Sequence, residues 1–430
     1  MVRRVRVVVA AAVLSGLTLP KEPIRGFLRA NDDSSCFLHY TLERSEAGPE
    51  SPLIVWYQGG PGISSQVGNL FEIGPKALVD GVLVPRQGAW TEKYNLLFLD
   101  APEGTGLSYC ESPSSLPSLS EDIAEHMRTA LEEFYELHPK MVSSALFLAG
   151  EHYAGHVLPP LAALLLRNPL ISPLRGIAIG NGHTHPITQV LTRSESAKYF
   201  GLVDDGPCYD WAFSNSTAAS FLAETGKFEE SFDARGRLEF AVAECSAGVN
   251  LRDVRATVQF QDSLYTPLDK LIAENPDFLL SKYLTERNES GEFLKSHPVF
   301  TAFNPNVVNT LRADVMRSMM NYVGDVLDNG IPVLLYQGVH DWIDGVFSNE
   351  AWISQTPWKG QTAYNGQVRQ AWSLDNELVG YRRSHGPLTH IVVRNAGHMV
   401  ALDQPEVARA MIDIFINEAL SNSGTATADT

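Results

Sequence analysis

Short apolar runs recur along this chain with helix-like stretches between them: Leu53 to Tyr57, Leu96 to Leu99, Ala145 to Ala149, Gly176 to Ile179, Val333 to Tyr336 and Ile391 to Val393. Such alternation predicts an α/β fold, a mostly parallel central sheet flanked by helices. The segment from Ser120 to Leu137 places Ile123, Met127, Ala130, Leu131 and Phe134 on one face, with Ser118 and Glu121 at capping-box spacing, so it is expected to be an amphipathic helix lying on that sheet.

The strand pattern stops between about Leu191 and Leu311, where charged, helix-compatible sequence takes over. At 430 residues the chain has room for one large core with an insertion. The organisation expected is a core of residues 21–190 and 312–420 and a mainly helical cap insertion at 191–311. A Ser/Thr/Ala/Gly-rich tail at 421–430 is expected to be disordered.

Residues 1–20 carry Arg3, Arg4 and Arg6 ahead of an apolar run from Val7 to Leu17, the pattern of a secretory signal peptide. No later stretch reaches the roughly 20 apolar residues that cross a bilayer, so no membrane span is expected. The cysteines Cys36, Cys110, Cys208 and Cys245 lack metal-ligand spacing, and an even number in an exported chain permits disulfides. We favour Cys208 with Cys245. Asn215 and Asn288 each open an N-glycosylation tripeptide, which fits an exported glycoprotein. With 33 Lys and Arg against 50 Asp and Glu, the net charge of -17 repels phosphate backbones and excludes a nucleic-acid role.

The chemistry is concentrated where the run ending at Ala149 meets Gly150-Glu151-His152-Tyr153-Ala154-Gly155 and then an apolar helix. A strand, a sharp turn with small residues and a helix make a nucleophile elbow, which lifts its central side chain above a sheet. The usual pattern is G-x-S-x-G; here it reads G-x-H-x-A, with Gly155 one position later, and the central residue is His152. Asp341 follows the run ending at Tyr336 and His398 follows the run ending at Val393. Nucleophile, acid, histidine is the chain order that α/β-hydrolases use.

These residues, together with Trp56-Tyr57-Gln58-Gly59-Gly60-Pro61-Gly62, Asn95 to Pro102 with Gly104 to Tyr109, Gly176 to Gly182 and Ala396 to Val400, resemble the serine carboxypeptidase family across nearly the whole chain. Gln58 in place of asparagine, Ile63 in place of cysteine, and Trp358-Lys359-Gly360 before Trp372 resemble its vitellogenic-carboxypeptidase-like branch. The resemblance implies an α/β-hydrolase fold. It implies the release of C-terminal amino acids through acyl transfer to a serine at position 152, with His398 as base and Asp341 as its orienter. It further implies an oxyanion hole from the N–H groups of Gly60 and Tyr153, and recognition of a substrate's terminal carboxylate by Trp56, Gln58, Gly59, Glu72 and Glu151. Two carboxyls held together cannot both ionise easily, so one stays protonated and can donate to a bound carboxylate at mildly acidic pH. Partners are thus expected to be peptide or protein C-termini, with a homodimer left open. The compartment expected is the secretory pathway, either secreted or an acidic lysosome- or vacuole-like organelle.

His152 removes the hydroxyl that this chemistry needs, and every serine codon differs from every histidine codon at more than one base. The chain is therefore expected to keep its peptide-terminus pocket and to have lost most turnover. Two alternatives stay open. One is hydrolysis by an unusual mechanism with His152, His398 and Asp341, and the other is a non-catalytic interaction or stabilising glycoprotein. Two imidazoles and a carboxylate can hold zinc, but the triad aims Asp341 at an imidazole, so no metal is expected. His156, His183 and His185 read as local hydrogen-bonding groups. Gly104-Thr105-Gly106 lacks the Lys-Ser/Thr of a phosphate loop, and no cofactor is expected.

Overall fold

A computed structural model describes residues 22–33, 35–112, 115–257 and 300–425. Its strands are β1 (Ile24–Arg29), β2 (Cys36–Glu43), β3 (Leu53–Gln58), β4 (Lys76–Val79), β5 (Val82–Pro85), β6 (Asn95–Leu99), β7 (Tyr109–Cys110), β8 (Leu146–Glu151), β9 (Leu174–Gly180), β10 (Val333–Gly338), β11 (Gln370–Leu374), β12 (Glu377–His385) and β13 (Leu388–Val393). An 11-stranded sheet runs β1-β2-β6-β3-β8-β9-β10-β13-β12-β11, with β7 added to β2, while β4 and β5 form a separate hairpin. The stretch from β6 to β13 is parallel, and the strands at both ends are antiparallel.

Burial on both faces explains why the central strands are apolar throughout. In β3, Leu53, Val55 and Tyr57 enter one core cluster while Ile54 and Trp56 enter the other, following the two-residue period of a strand. The first cluster packs α1 (Ser120–Leu137) and α2 (Ala154–Arg167) on one face. The second packs the helix Pro405–Thr425 on the other, through Met411, Ile412 and Phe415. Each such side chain contributes about 1.5–3 kcal/mol through burial.

Five of the six apolar runs lie within parallel strands and the sixth does so from Leu146, Ala145 preceding β8, while Ile123, Met127, Ala130, Leu131 and Phe134 form the buried face of α1. Its capping box, however, does not form. The helix starts at Ser120, with no side-chain cap at Leu119, because the Ser120 hydroxyl bonds buried Asp314 and Glu121 reaches Arg317 at 2.7 Å. The helix Pro405–Thr425 continues through Ser421, whose hydroxyl donates to the Asn417 carbonyl at 2.8 Å, so this helix enters the segment that composition alone reads as a tail.

After β9 come α3 (Pro186–Tyr199), α4 (Pro207–Glu224) and α5 (Phe228–Cys245). Cys208 on α4 is bonded to Cys245 at the end of α5, and Cys36 to Cys110 between β2 and β7. Asn215 is half-buried in α4, with Nδ2 donating to the Trp211 carbonyl and Oδ1 accepting from Arg237. Asn288 and the segment 1–20 lie outside the described residues. Among the described residues no helix is long and apolar enough to cross a membrane.

Candidate active site

β8 ends at Glu151 and α2 begins at Ala154, and the backbone between them turns through His152 in the left-handed region, φ 54°. A non-glycine residue rarely adopts this conformation, and it persists only where the surroundings impose it. Here the His152 N–H donates to the Gly180 carbonyl at 3.0 Å, while the His152 carbonyl accepts from Gly155 at 3.0 Å and His183 at 2.7 Å. The glycines on either side are sterically required. A Cβ at Gly150 would lie 2.2 Å from the Tyr57 carbonyl oxygen, and one at Gly155 would lie 2.4 Å from Thr184 Oγ1.

His398, in the turn after β13, places Nδ1 2.7 Å from Asp341 Oδ2. Asp341 also accepts from Asn181 Nδ2 at 2.7 Å and from the Ile343 N–H at 2.9 Å, so its carboxylate is fixed before it orients the imidazole. The His152 and His398 rings meet edge to face, with centroids 5.0 Å apart. His152, Asp341 and His398, far apart in sequence, thus gather at one end of the parallel sheet, beyond the carboxyl ends of β8, β10 and β13.

His152 has its own carboxylate partner, one that sequence reasoning missed. Its Nδ1–H donates to Asp344 Oδ2 at 2.8 Å, and both side chains are buried. The other oxygen of Asp344 accepts from Arg193, His183 and Gln189, each at 3.2 Å. Burial opposes ionisation of Asp344, but His183 and His152 hold its carboxyl well below the usual carboxylate range. Burial lowers the His152 imidazole to about 4 despite the Asp344 hydrogen bond, so the ring is neutral at pH 7.

Beside this centre Trp56 Nε1 donates to Gln58 Oε1 at 2.8 Å, and Gln58 Nε2 donates to Glu151 Oε1 at 2.5 Å. Glu72 adjoins Glu151 from the turn Gly68–Ile73, which Arg86 pins by donating to the carbonyls of Phe71, Gly74 and Lys76. Gly68 is needed there, because a Cβ would lie 2.3 Å from Trp56 Nε1. Burial pushes Glu72 up to about 7, and burial together with the Glu72 charge raises Glu151 well above its usual range, so the two carboxyls share a proton near neutrality. Among the described residues Glu72 Oε1 is buried without a hydrogen-bond partner.

Gly59 packs against the elbow so closely that a Cβ would lie 2.2 Å from Tyr153 N. Neither the Gly60 nor the Tyr153 N–H donates a hydrogen bond among the described residues. Two cavities meet at His152. Gln58, Glu151, His398, Met399 and Leu402 help to line one, and Gly60, Phe232, Arg235, Phe303 and Val315 the other, with Arg252 shared between them.

A turn following α5 braces the loops that carry Asp341 and His398. The Leu251 carbonyl accepts from the Trp342 N–H at 3.0 Å, the Arg252 carbonyl accepts from the His398 N–H at 2.8 Å, and the Val254 N–H donates to the His340 carbonyl at 3.0 Å. His156 bonds the His183 carbonyl, His183 Nε2 lies 3.0 Å from the Val315 carbonyl, and His185 Nδ1 lies 2.6 Å from Ser318 Oγ. Gly106 packs on Asp100, where a Cβ would lie 2.1 Å from Oδ2, so the Gly104 to Gly106 loop closes over a carboxylate.

A family model described as serine carboxypeptidase matches residues 16–418. The chain is 33% identical over 375 residues to serine carboxypeptidase-like 50 of Arabidopsis thaliana, covering 86% of this chain and 80% of the plant protein. It is 31% identical over 425 residues to a probable serine carboxypeptidase CPVL of Dictyostelium discoideum, covering 93% and 79%. Among solved structures, the prohormone-processing carboxypeptidase Kex1 of Saccharomyces cerevisiae superposes with a TM-score of 0.77 at 23% identity, over 93% of this chain and 92% of that one. That likeness establishes the α/β-hydrolase fold.

Proposed function

Because the chain belongs to the serine carboxypeptidase family, we propose that it recognises the C-termini of peptides or proteins and turns them over weakly or not at all, since His152 stands where the family's nucleophilic serine would be. The observation that carries this reading is the unbroken chain Trp56–Gln58–Glu151 with Glu72 behind it, set beside an oriented His398–Asp341 pair. A peptide's terminal carboxylate accepts a hydrogen bond from the protonated Glu pair. Its scissile carbonyl then lies towards the N–H groups of Gly60 and Tyr153.

With no hydroxyl at position 152, no acyl ester can form there. His398 can still hold a water for slow attack. A second reading, hydrolysis with His152 as base, draws on the Asp344 contact that orients the ring. Burial works against it, because an imidazole lowered to about 4 is a weak base near neutrality. The branch that resembles vitellogenic carboxypeptidases, passage through the secretory pathway and an acidic compartment suit the same reading.

The deciding experiment measures equilibrium binding of a short peptide with a free C-terminus against the same peptide as its amide. Selective binding of the acid by wild type and by Glu151→Ala alike, or no binding at all, sinks the proposal. The latter outcome favours a role in protein interaction alone.

A further inference from the structure

The carboxylate that meets His152 is Asp344, and its position has a second implication. One donor atom from each of His152, Asp344 and His398 lies within 4.8 Å of the other two, and all three residues are buried. We propose that His152, His398 and Asp344 form a transition-metal site of the two-histidine, one-carboxylate kind, taking Zn²⁺ or a similar borderline divalent ion at the floor of the cleft.

Each ligand is already oriented. His398 is held through Nδ1 by Asp341, the carboxylate–histidine arrangement that backs metal-binding imidazoles, and this leaves Nε2 as the donor atom. Asp341 is held in turn by Asn181 and the Ile343 N–H. Asp344 binds Arg193, His183 and Gln189 through Oδ1 and turns Oδ2 to His152. An ion between His152 Nδ1 and Asp344 Oδ2 would take the place of the proton now between them, and that proton would move to Nε2, so that the ring remains a neutral imidazole.

Donor atoms about 2.0–2.1 Å from a tetrahedral zinc lie about 3.3 Å apart, so the widest separation must close by no more than about 1.5 Å. The coordination positions left over face the cavity that His152 and His398 both line, as in an open site that keeps a water. Asp341, Asp344 and the Glu72–Glu151 pair supply negative charge, and Arg193 on the far side of Asp344 is itself paired with Glu239 at 2.8 Å. Arg252 at the cleft opposes a cation. Asp341 aims at the His398 imidazole and is not a ligand; Asp344 supplies the carboxylate.

The site does not depend on peptide recognition, and its test does not use turnover. Tag-free, chelator-stripped full chain is titrated with Co²⁺ while visible absorption is recorded, then with Zn²⁺. We expect one equivalent of Co²⁺ with the intense bands of a low-coordinate ion, lost on adding one equivalent of Zn²⁺. His152→Ala is expected to weaken Co²⁺ binding at least about tenfold while still melting cooperatively, and Asp344→Asn to do the same where it folds. Absence of saturable Co²⁺ uptake by the wild type, or unchanged affinity in His152→Ala, overturns the proposal. Peptide binding measured in excess chelator reports on the carboxylate pocket separately.

Discussion

His152 and His398 face each other edge to face across the cleft, 5.0 Å between ring centroids, and each is anchored through Nδ1 to a different carboxylate, Asp344 and Asp341. A serine in the place of His152 would put its hydroxyl beside an imidazole that is already oriented. His152→Ser is therefore expected to raise turnover of a blocked dipeptide at mildly acidic pH by at least about 100-fold over the wild type. Steady-state rates in excess chelator check this. An unchanged rate with intact peptide binding means that the hole or base is out of place.

Affinity for a free peptide C-terminus should follow the proton shared by Glu72 and Glu151. Both carboxyls are raised, Glu72 to about 7 and Glu151 well above its usual range, so the pair is fully protonated below about 7, gives up its first proton there and holds the shared one beyond it. Binding is expected to be flat from about pH 5 to 6 and to weaken by about tenfold per pH unit above the pair's titration. Calorimetric titrations at several pH values test it, with Glu151→Gln expected to flatten the profile. A wild-type affinity that rises from pH 6 to 8 would contradict the assignment.

The legibility of the chain was uneven, for physical reasons. The central strands were readable because burial on both faces makes them apolar without interruption, as in Leu53 to Tyr57. Strand β2 was not, because His39, Thr41 and Glu43 interrupt its pattern although all three are buried. The elbow stood out because its glycines and its position between an apolar run and an apolar helix are local features. Asp344 did not, since nothing in the spacing Asp341-Trp342-Ile343-Asp344 says which carboxylate faces which imidazole. The failed cap at Ser118 has a similar origin, since α1 gains more from tying Ser120 to Asp314, which lies far along the chain.

Asp344 also bears on stability. Replacing it with alanine leaves Arg193 and two histidines facing a buried gap, and is expected to cost about 3–5 kcal/mol, read as a lower urea midpoint at pH 7. A loss below about 1 kcal/mol would show that Glu239 alone satisfies Arg193.

His152 makes acid stability asymmetric. Its folded value of about 4 lies below the unfolded value near 6.5, so the unfolded chain binds the extra proton first. The stability of the neutral ring is complete above about pH 6.5 and is lost as pH falls towards 4, up to about 3 kcal/mol. His152→Ser removes this contribution while leaving the opposing Glu72–Glu151 contribution in place. The difference between urea midpoints of the two proteins should therefore change across that window, and a constant difference would count against a buried neutral imidazole.

Gly68→Ala should damage recognition from a distance. The added methyl meets Trp56 Nε1 at 2.3 Å and Gln58 Oε1 at 2.8 Å, so the indole must tilt and release the amide that holds Glu151. We expect a stability loss of about 1–3 kcal/mol. A larger fractional loss of affinity for the peptide acid than for its amide is also expected. Equal losses would place the effect in general packing.

The turn at residues 250–254 belongs to the insertion by sequence and to the candidate site by hydrogen bonding, since its carbonyls receive the amides of His398 and Trp342. An insertion joined in this way cannot be exchanged between proteins as an independent module. Grafting a foreign one changes the footing of the imidazole as well as the shape of the entrance, so a chimera can lose function without a single altered residue in the cleft.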